Sequence, residues 1–125
     1  MEKYLLETEI IVDHLTTKDE TSILVKLMQK GVCYTTVLNA SELYLACKST
    51  EEKNCVDAVL YSLKILGIHP RYSLSVHKYQ QQKPSLRDSL FSVVAEINKL
   101  PVVTKNTDRY SGLNIKIIHP TSIEV

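Results

Sequence analysis

The sequence predicts an α/β fold in which a central, mostly parallel sheet of four to five strands is flanked by helices in three layers. Short apolar runs rich in β-branched residues recur along the chain, which is typical of buried strands. Between them lie segments whose apolar residues return at helical spacing behind capping residues. Strands that alternate with helices favour parallel pairing, and right-handed crossovers bring the strand ends to one edge of the sheet.

Five segments are predicted as strands. Residues 4–6 form a short apolar run that ends at a polar corner, and residues 32–37 are rich in β-branched and aromatic side chains. A very short strand is expected to begin at Ile68, before a proline. Residues 101–104 and 114–118 complete the set, and Pro120 ends the last strand.

The helices are predicted from capping pairs and apolar spacing. A short helix is expected at 10–15, and longer ones at 18–30, after Asn39, from Ser49 to about 66, at 73–82 and after Ser85. Three of them begin with the spacing of a capping box: Thr17 with Glu20, Asn39 with Glu42, and Ser49 with Glu52. Glycines are expected to end two helices, at Gly31 and Gly67.

Length and composition predict one soluble domain that spans residues 1–125. Hydrophobic residues make up 44% of the chain and charged residues 23%, which is ordinary for a domain with its own core. The net charge of +1 neither supports nor excludes nucleic acid as a partner. No apolar run approaches 18 residues and the N-terminus is unlike a signal peptide, so we expect no membrane span and a cytoplasmic location.

Several common kinds of site are not expected. The odd number of cysteines (Cys33, Cys47 and Cys55) and the absence of a C-x-x-C pair argue against a disulfide framework or a zinc site. The four histidines lack H-x-x-x-H spacing, which favours structural roles for them. With three glycines in all, the chain contains neither of the Gly-rich phosphate-binding motifs.

Polar residues are expected to meet at the edge where the parallel strands end. They come from segments far apart in sequence: Glu7, Glu9, Glu42, Asp88, Thr104, Asn106 and Asp108. Carboxylates gathered at one place favour Mg²⁺ or Mn²⁺, which prefer oxygen ligands and can activate water against a phosphodiester. Without a cation, such carboxylates would repel one another and raise their own pKa values.

Each of these residues also has a purely structural interpretation. Glu42 and Asp88 stand where acids stabilise the first turn of a helix without any metal. Glu7 and Glu9 would then be solvated loop acids, and Asn106 and Asp108 turn formers. Spacing alone leaves these alternatives open.

Four segments, in order, resemble the motifs of the PIN domain family. LLETEIIVD at 5–13 is similar to the family's opening, and SELY at 41–44 is similar to its second motif. RDSL at 87–90 resembles the third motif, and LPVVTKN at 100–106, followed by Tyr110, resembles the fourth. The likeness spans nearly the whole chain and is greatest to the VapC-type toxins.

The resemblance implies a magnesium- or manganese-dependent endoribonuclease in a toxin–antitoxin setting, with an antitoxin partner and a homodimer. Glu7, Glu42 and Asp88 fall at the acidic metal positions. Asn106 falls at the fourth polar position, with Asp108 as a nearby substitute ligand. Thr8 and Thr104 fall at the two hydroxyl positions, where they would contact substrate.

Two basic residues flank the fourth motif. Lys105 and Arg109 are expected to steer an RNA phosphate backbone, with loop solubility as the alternative interpretation.

The first motif departs from the family pattern. Glu7 stands where the family has Asp, and Glu9 where it has Asn or Ser, so one carboxylate is displaced by about one bond length. The sequence therefore keeps two functions open: an active nuclease, and an impaired PIN-fold module that binds RNA or protein. A phosphoacceptor receiver domain is disfavoured, because the second strand does not end in Asp and the last does not end in Lys.

Overall fold

The computed structural model describes residues 2–17 and 21–123, and within them the strands alternate with helices. The main elements in order are β1 Glu2–Leu6, α1 Thr8–Thr16, α2 Ile23–Lys30, β2 Gly31–Thr36, α3 Val37–Ala46, α4 Thr50–Tyr61, β3 Lys64–Leu66, α5 Leu86–Ile97, β4 Val102–Val103 and β5 Ile117–Ile118. Three 3₁₀ segments join them, at Pro70–Gln82, Thr107–Tyr110 and Pro120–Ser122.

The five strands form one sheet in the order β3-β2-β1-β4-β5, and every pairing is parallel. The first strand of the chain is thus the central one. Leu5 pairs with Tyr34 on one side and with Val102 on the other. The predicted parallel sheet of four to five strands is confirmed, and the residues that follow β1, β2 and β4 are neighbours at one edge.

The two faces of the sheet carry separate cores. Tyr4 and Leu6 pack with apolar residues of α1, α2, α3 and α4, whereas Leu5 packs with residues of α5 and with Tyr110. Alternate residues of a strand point to opposite faces, so the apolar run of β1 serves both layers of helices. This arrangement confirms the predicted three-layer α/β/α architecture.

The start predicted for α2 was wrong. Thr17 follows the end of α1, where its backbone N–H donates to the Asp13 carbonyl at 2.9 Å. The helix begins instead at Ile23, because the Ser22 hydroxyl accepts from the Val25 N–H at 3.2 Å and caps it. The rest of the predicted first turn, residues 18–20, lies outside the described residues.

The helix predicted from Ser49 begins as expected but ends earlier. The Ser49 hydroxyl accepts from the Glu52 N–H at 3.1 Å, and α4 ends at Tyr61 rather than near residue 66. Residues Lys64–Leu66 instead pair with β2, so the third strand precedes the predicted position at Ile68. Backbone pairing with β2, which local capping patterns do not reveal, accounts for the difference.

Gly31 ends α2 as predicted and also begins β2. Its backbone is extended, so the left-handed conformation is not what requires glycine here. A Cβ atom at this position would lie 2.1 Å from the Glu2 carbonyl oxygen. Glycine is therefore needed for the close approach of the two strands.

Among the described residues, no helix is long and apolar enough to cross a membrane.

Candidate functional site

Three of the predicted acids meet at the carboxyl edge of the sheet, around the guanidinium group of Arg87. Glu7 follows β1 directly, Glu42 lies on α3 and Asp88 on α5. Arg87 Nη1 lies 2.7 Å from Glu7 Oε2 and 3.1 Å from Asp88 Oδ1, and Arg87 Nη2 lies 2.7 Å from Glu42 Oε1. We call these three acids the carboxylate cluster. The expected convergence of residues 7, 42 and 88 is present, with an arginine at its centre.

Glu7 is the buried member of the cluster, with 0% of its surface exposed. Each of its two carboxylate oxygens accepts from three donors, although a carboxylate offers about four lone-pair positions in all. The donors are the Thr8 N–H, the Asn39 amide, both terminal nitrogens of Arg87, Arg109 Nη1 and the Tyr110 hydroxyl. Its interpretation as a solvated loop acid is therefore wrong.

The groups around Glu7 determine the pKa of its carboxyl group. Burial alone would raise the pKa of the Glu7 carboxyl, but hydrogen bonds from Arg87 and Tyr110 outweigh it and hold the pKa below its ordinary value. Burial and the adjacent Glu7 raise the pKa of the Tyr110 phenol. The arrangement is that of an ionised carboxylate paired with a permanent cation.

Arg87 is held from several sides. It lies in the first turn of α5, whose cap is the predicted one: the Ser85 hydroxyl accepts from the Asp88 N–H at 3.1 Å. Its guanidinium carbon lies 5.2 Å from the Phe91 ring centroid, within cation–π range. Burial would lower the pKa of Arg87, but hydrogen bonds from its guanidinium to Glu7 and Glu42 raise it.

The beginning of α3 differs from the expectation, and the difference places a residue in the site. Asn39 is not the cap. Thr36 caps the helix, and the Asn39 side-chain oxygen accepts from the Thr36 N–H at 3.0 Å in a capping box. Because β2 ends at Thr36, the helix begins at Val37, and Glu42 lies beyond its first turn. The Asn39 amide is thus free to donate to Glu7 at 3.1 Å and to Thr8 at 2.9 Å.

Thr8 connects the buried and exposed parts of the cluster. Its hydroxyl donates to Glu42 Oε1 at 2.6 Å and accepts from Asn39. The Glu42 side chain is 43% exposed, and that of Asp88 is 16% exposed. Solvent therefore reaches the cluster from the side of Glu42.

Arg109 and Tyr110 contact the cluster from the 3₁₀ turn after β4. Arg109 Nη1 lies 3.0 Å from Glu7 Oε2, and Arg109 Nε lies 3.6 Å from Asp88 Oδ2. Tyr110 is fully buried, donates to Glu7 and packs against Phe91 with ring centroids 5.6 Å apart. This placement makes Tyr110 a packing residue of the core.

A second group of polar residues surrounds Glu9, which lies in the first turn of α1. The Thr104 hydroxyl and the Lys105 N–H both donate to Glu9 Oε1, the latter at 2.9 Å. The Lys105 ammonium forms an ion pair with Asp13. We call Glu9, Asp13, Thr104 and Lys105 the Glu9 cluster. Thr104 is fully buried, and its hydroxyl donates to Glu9.

Asn106 and Asp108 complete the predicted set, and both are exposed. Across the described residues, no hydrogen bond joins either side chain to the carboxylate cluster. The Asn106 carbonyl accepts from the Arg109 N–H at 3.2 Å, which closes the 3₁₀ turn. Their placement matches the alternative interpretation as turn formers.

The cluster as arranged does not fit a divalent metal ion. Both oxygens of Glu7 are saturated by protein donors, and the space among the three acids is filled by the Arg87 guanidinium. Within residues 2–17 and 21–123, no group of three or more His, Cys, Asp or Glu side chains has a geometry suited to a metal. A metal would have to displace Arg87 to reach all three acids.

Sequence reasoning did not assign Asn39 or Arg87 to the site. A signal for Arg87 exists: Glu7 lies between a buried strand and an apolar helix, and if it is buried there it requires a cationic partner. The chain has three arginines, and two of them, Arg87 and Arg109, contact Glu7. For Asn39, no local sequence signal distinguishes a side chain that donates to Glu7 from one that caps a helix.

Comparison with known proteins agrees with this fold. Residues 4–112 match the family model described as the PIN domain. No curated protein sequence matches the chain.

Solved structures of toxin–antitoxin proteins have the same fold. A chain of a toxin-antitoxin complex from Klebsiella pneumoniae is 18% identical with a TM-score of 0.77, over 94% of this chain and 97% of that one. A chain of VapBC2 from Rickettsia felis, bound to a promoter DNA fragment, is 16% identical with a TM-score of 0.79, over 94% and 98%. A chain of DNA-bound VapBC from Salmonella typhimurium is 18% identical with a TM-score of 0.74, over 96% and 99%. At these identities the likeness establishes the fold.

Proposed function

The chain belongs to the PIN domain family, and from that premise we propose that it is an endoribonuclease that cuts RNA phosphodiester bonds. The observation that carries the proposal is the meeting of Glu7, Glu42 and Asp88, from three distant segments, at the carboxyl edge of a parallel sheet. Ligands of such sheets bind at that edge.

The site contains residues that reach solvent and buried residues that hold those exposed residues in position. Glu42 and Asp88 are partly exposed, and we assign them to the attacking water beside the reacting phosphodiester. Arg109, which pairs with Asp88, and Lys105, in the Glu9 cluster, are exposed cations, and we assign them to attracting the RNA backbone. Glu7 and Thr104 are buried, so they hold the others in place. We assign Asn106 and Asp108 to the exposed surface beside the site, which bound RNA would cross.

The family expectation of Mg²⁺ or Mn²⁺ is part of this proposal, although the carboxylates as arranged bind Arg87. Binding of either ion by all three acids requires that Arg87 first leave the space between them. An ion bound there would supply an activated water and offset charge on the phosphodiester. The protein's own contribution is to bring the three acids together.

The filled carboxylate cluster favours a second candidate function. If Arg87 stays between the acids, the same edge binds RNA or a protein partner without cutting it. Glu7 supports this candidate, since its longer side chain reaches the guanidinium and leaves neither oxygen free.

RNA cleavage distinguishes the two candidates. The purified chain is incubated with a mixed-sequence fluorogenic RNA in millimolar Mn²⁺ or in EDTA, beside Asp88→Asn, Glu7→Asp and the exposed control Glu51→Gln. We expect cutting in Mn²⁺ that is unchanged in Glu51→Gln. In Asp88→Asn it should fall by more than about 100-fold, because even outer-shell partners of a metal site are worth about 10- to 100-fold.

Two results would change the assignment. Activity confined to Glu7→Asp would mean that the longer side chain has silenced an otherwise intact site, and the binding function would apply to the natural chain. RNA binding without cutting in every variant would also favour the binding module. Cutting by Asp88→Asn at the wild-type rate would contradict the assigned site.

We further propose that the chain is the toxin of a toxin–antitoxin pair, since structures of the same fold are such complexes. A cognate antitoxin, a homodimer and a cytoplasmic location, where toxin, antitoxin and RNA would meet, belong to this proposal. Expression of the chain alone should arrest growth, and co-expression of its antitoxin should restore it. Arrest that is equally strong in Asp88→Asn would separate toxicity from this site.

A further inference from the structure

We propose that Arg87 is a built-in counter-ion that occupies the place of a divalent cation, so that its removal converts the carboxylate cluster into a Mn²⁺-binding site. This inference concerns the regulation of the proposed active site and rests on that assignment. It is tested by metal binding, without RNA.

Geometry is the first argument. The guanidinium group contacts Glu7, Glu42 and Asp88 together, through its two terminal nitrogens. A single cation that touches three carboxylates from three elements lies at their common centre. A shared metal ion would need to lie within about 2.0–2.6 Å of an oxygen of each acid, so it and the guanidinium compete for the same oxygens.

Charge is the second argument. The cluster has three carboxylates and contacts two guanidinium groups, those of Arg87 and Arg109, so its net charge is one negative unit. Without Arg87 the net charge becomes two negative units, which a divalent cation neutralises. Arg109 does not replace Arg87, because it contacts Glu7 and Asp88 but makes no ion pair with Glu42 in the described part of the chain.

The third argument is that Arg87 is incompletely satisfied. Its Nε atom is buried and has no hydrogen-bond partner among residues 2–17 and 21–123. An unpaired buried donor costs free energy, which offsets part of the gain from the ion pairs. The Arg87 side chain also retains 21% exposure, so solvent reaches it. Replacing the Arg87 guanidinium by another cation therefore costs less free energy than the number of its contacts suggests.

Manganese binding to the full-length chain is the test. Free Mn²⁺ is followed by electron paramagnetic resonance at pH 7.5 in wild type, Arg87→Met, Arg71→Met and the double variant Arg87→Met/Asp88→Asn. Methionine keeps the apolar bulk of the arginine stem. Arg71 is an exposed arginine that makes no ion pair within the described ranges, so its replacement controls for net charge.

We expect Arg87→Met to bind Mn²⁺ at least about tenfold more tightly than wild type, the factor that corresponds to about 1.4 kcal/mol. Arg71→Met should bind as wild type does, and the double variant should lose the gain. Equal affinity in wild type and folded Arg87→Met would overturn the proposal, as would a gain that survives in the double variant.

Loss of folding in Arg87→Met also gives an answer. If the variant is unfolded in EDTA by circular dichroism, Mn²⁺ should restore the wild-type spectrum, because the metal then supplies the missing cation. Failure of Mn²⁺ to restore it would overturn the proposal.

Arg87→Lys is the second variant. Its ammonium cannot contact Glu7 at two points, so we expect a smaller gain in Mn²⁺ affinity than in Arg87→Met.

The outcome is separable from that of the nuclease assay. A Mn²⁺ site that appears in Arg87→Met, together with an inactive wild type, would support the inference and favour the binding module. Active wild type with no change in Mn²⁺ affinity would support the nuclease and reject the role of Arg87.

Discussion

Glu7 caps the N-terminus of α1 and Glu9 lies two residues later in its first turn, yet the two side chains occupy opposite environments. Glu7 is wholly buried, and its charge is balanced by guanidinium groups from two distant segments. Glu9 is half-buried and accepts from the Thr104 hydroxyl and the Lys105 N–H, while the nearby Lys105 ammonium pairs with Asp13 in solvent. Of the two, only Glu7 contacts the arginine that lies between the acids of the carboxylate cluster.

The comparison shows how burial decides the importance of a charge. A carboxylate removed from water costs several kcal/mol unless partners replace its hydration, so Glu7 requires its donors. A carboxylate near the surface keeps part of its hydration, so the partners of Glu9 add modestly to stability. We therefore expect substitutions in the two clusters to differ in size, in pH dependence and in salt dependence.

The largest contrast is expected between Glu7→Ala and Glu9→Ala. Removal of Glu7 leaves Arg87 and Arg109 without their buried partner, and breaking a buried ion pair typically costs about 3–5 kcal/mol. Glu9→Ala should cost below about 1.5 kcal/mol, since it loses hydrogen bonds at a partly solvated position. Urea unfolding at pH 7 measures both free energies. Equal losses would mean that the burial of Glu7 is not what makes it important.

The dependence of stability on pH should trace to Glu7. Its pKa in the folded state is lowered from 4.5, so its contribution is present in full above pH 4.5. That contribution is lost as the pH falls from 4.5 through the folded-state value, because the unfolded chain then binds the proton more readily. Glu7→Gln has no proton to bind, and we expect its unfolding free energy to fall less steeply over that range than that of wild type. Parallel curves would assign the acid sensitivity to other groups.

The sequence predicted the acids of the cluster but not the cation at its centre. The apolar run of residues 4–6 and the spacing of apolar residues in α5 are local signals, and both elements lie where they were predicted. The bond between Arg87 and Glu7 spans 80 residues and depends on how α5 packs on the sheet. No local sequence pattern predicts a contact over that separation. Only the requirement of a buried carboxylate for a cationic partner indicates the contact.

Helix starts were missed for a related reason. Thr36 and Asn39 can both cap a helix, and the choice is made by where β2 stops pairing with its neighbours. Likewise Ser22, not Thr17, caps α2. Equivalent local signals compete at each position, and tertiary contacts decide between them.

Tyr110→Phe tests how much one hydroxyl group adds within the buried cluster. The ring and its packing on Phe91 remain, whereas the bond donated to Glu7 and the bond accepted from Arg87 Nη1 are both lost. A hydrogen bond to a charged group contributes about 1.5–3 kcal/mol, and we expect a loss in that range by urea unfolding. Tyr61→Phe is the matched control, because its side chain is 94% exposed and its hydroxyl is solvated.

A loss in Tyr110→Phe no larger than in Tyr61→Phe would show that the five other donors satisfy Glu7 without it. The hydrogen bond from Tyr110 would then be redundant, and the difference in stability between the surroundings of Glu7 and Glu9 would depend on the ion pair with Arg87 alone.

The smallest effect is expected for the ion pair between Lys105 and Asp13 in the Glu9 cluster. Both side chains are about half exposed, at 48% and 47%, so solvent and salt weaken their attraction. Lys105→Met should lower the unfolding free energy by about 0–1 kcal/mol at low ionic strength, and the difference from wild type should vanish in about 1 M NaCl. The same salt series on Glu7→Ala should leave most of its larger loss in place, since buried charges are screened much less. If instead both losses fall together as salt rises, the two clusters are equally solvated, and the contrast between Glu7 and Glu9 does not hold.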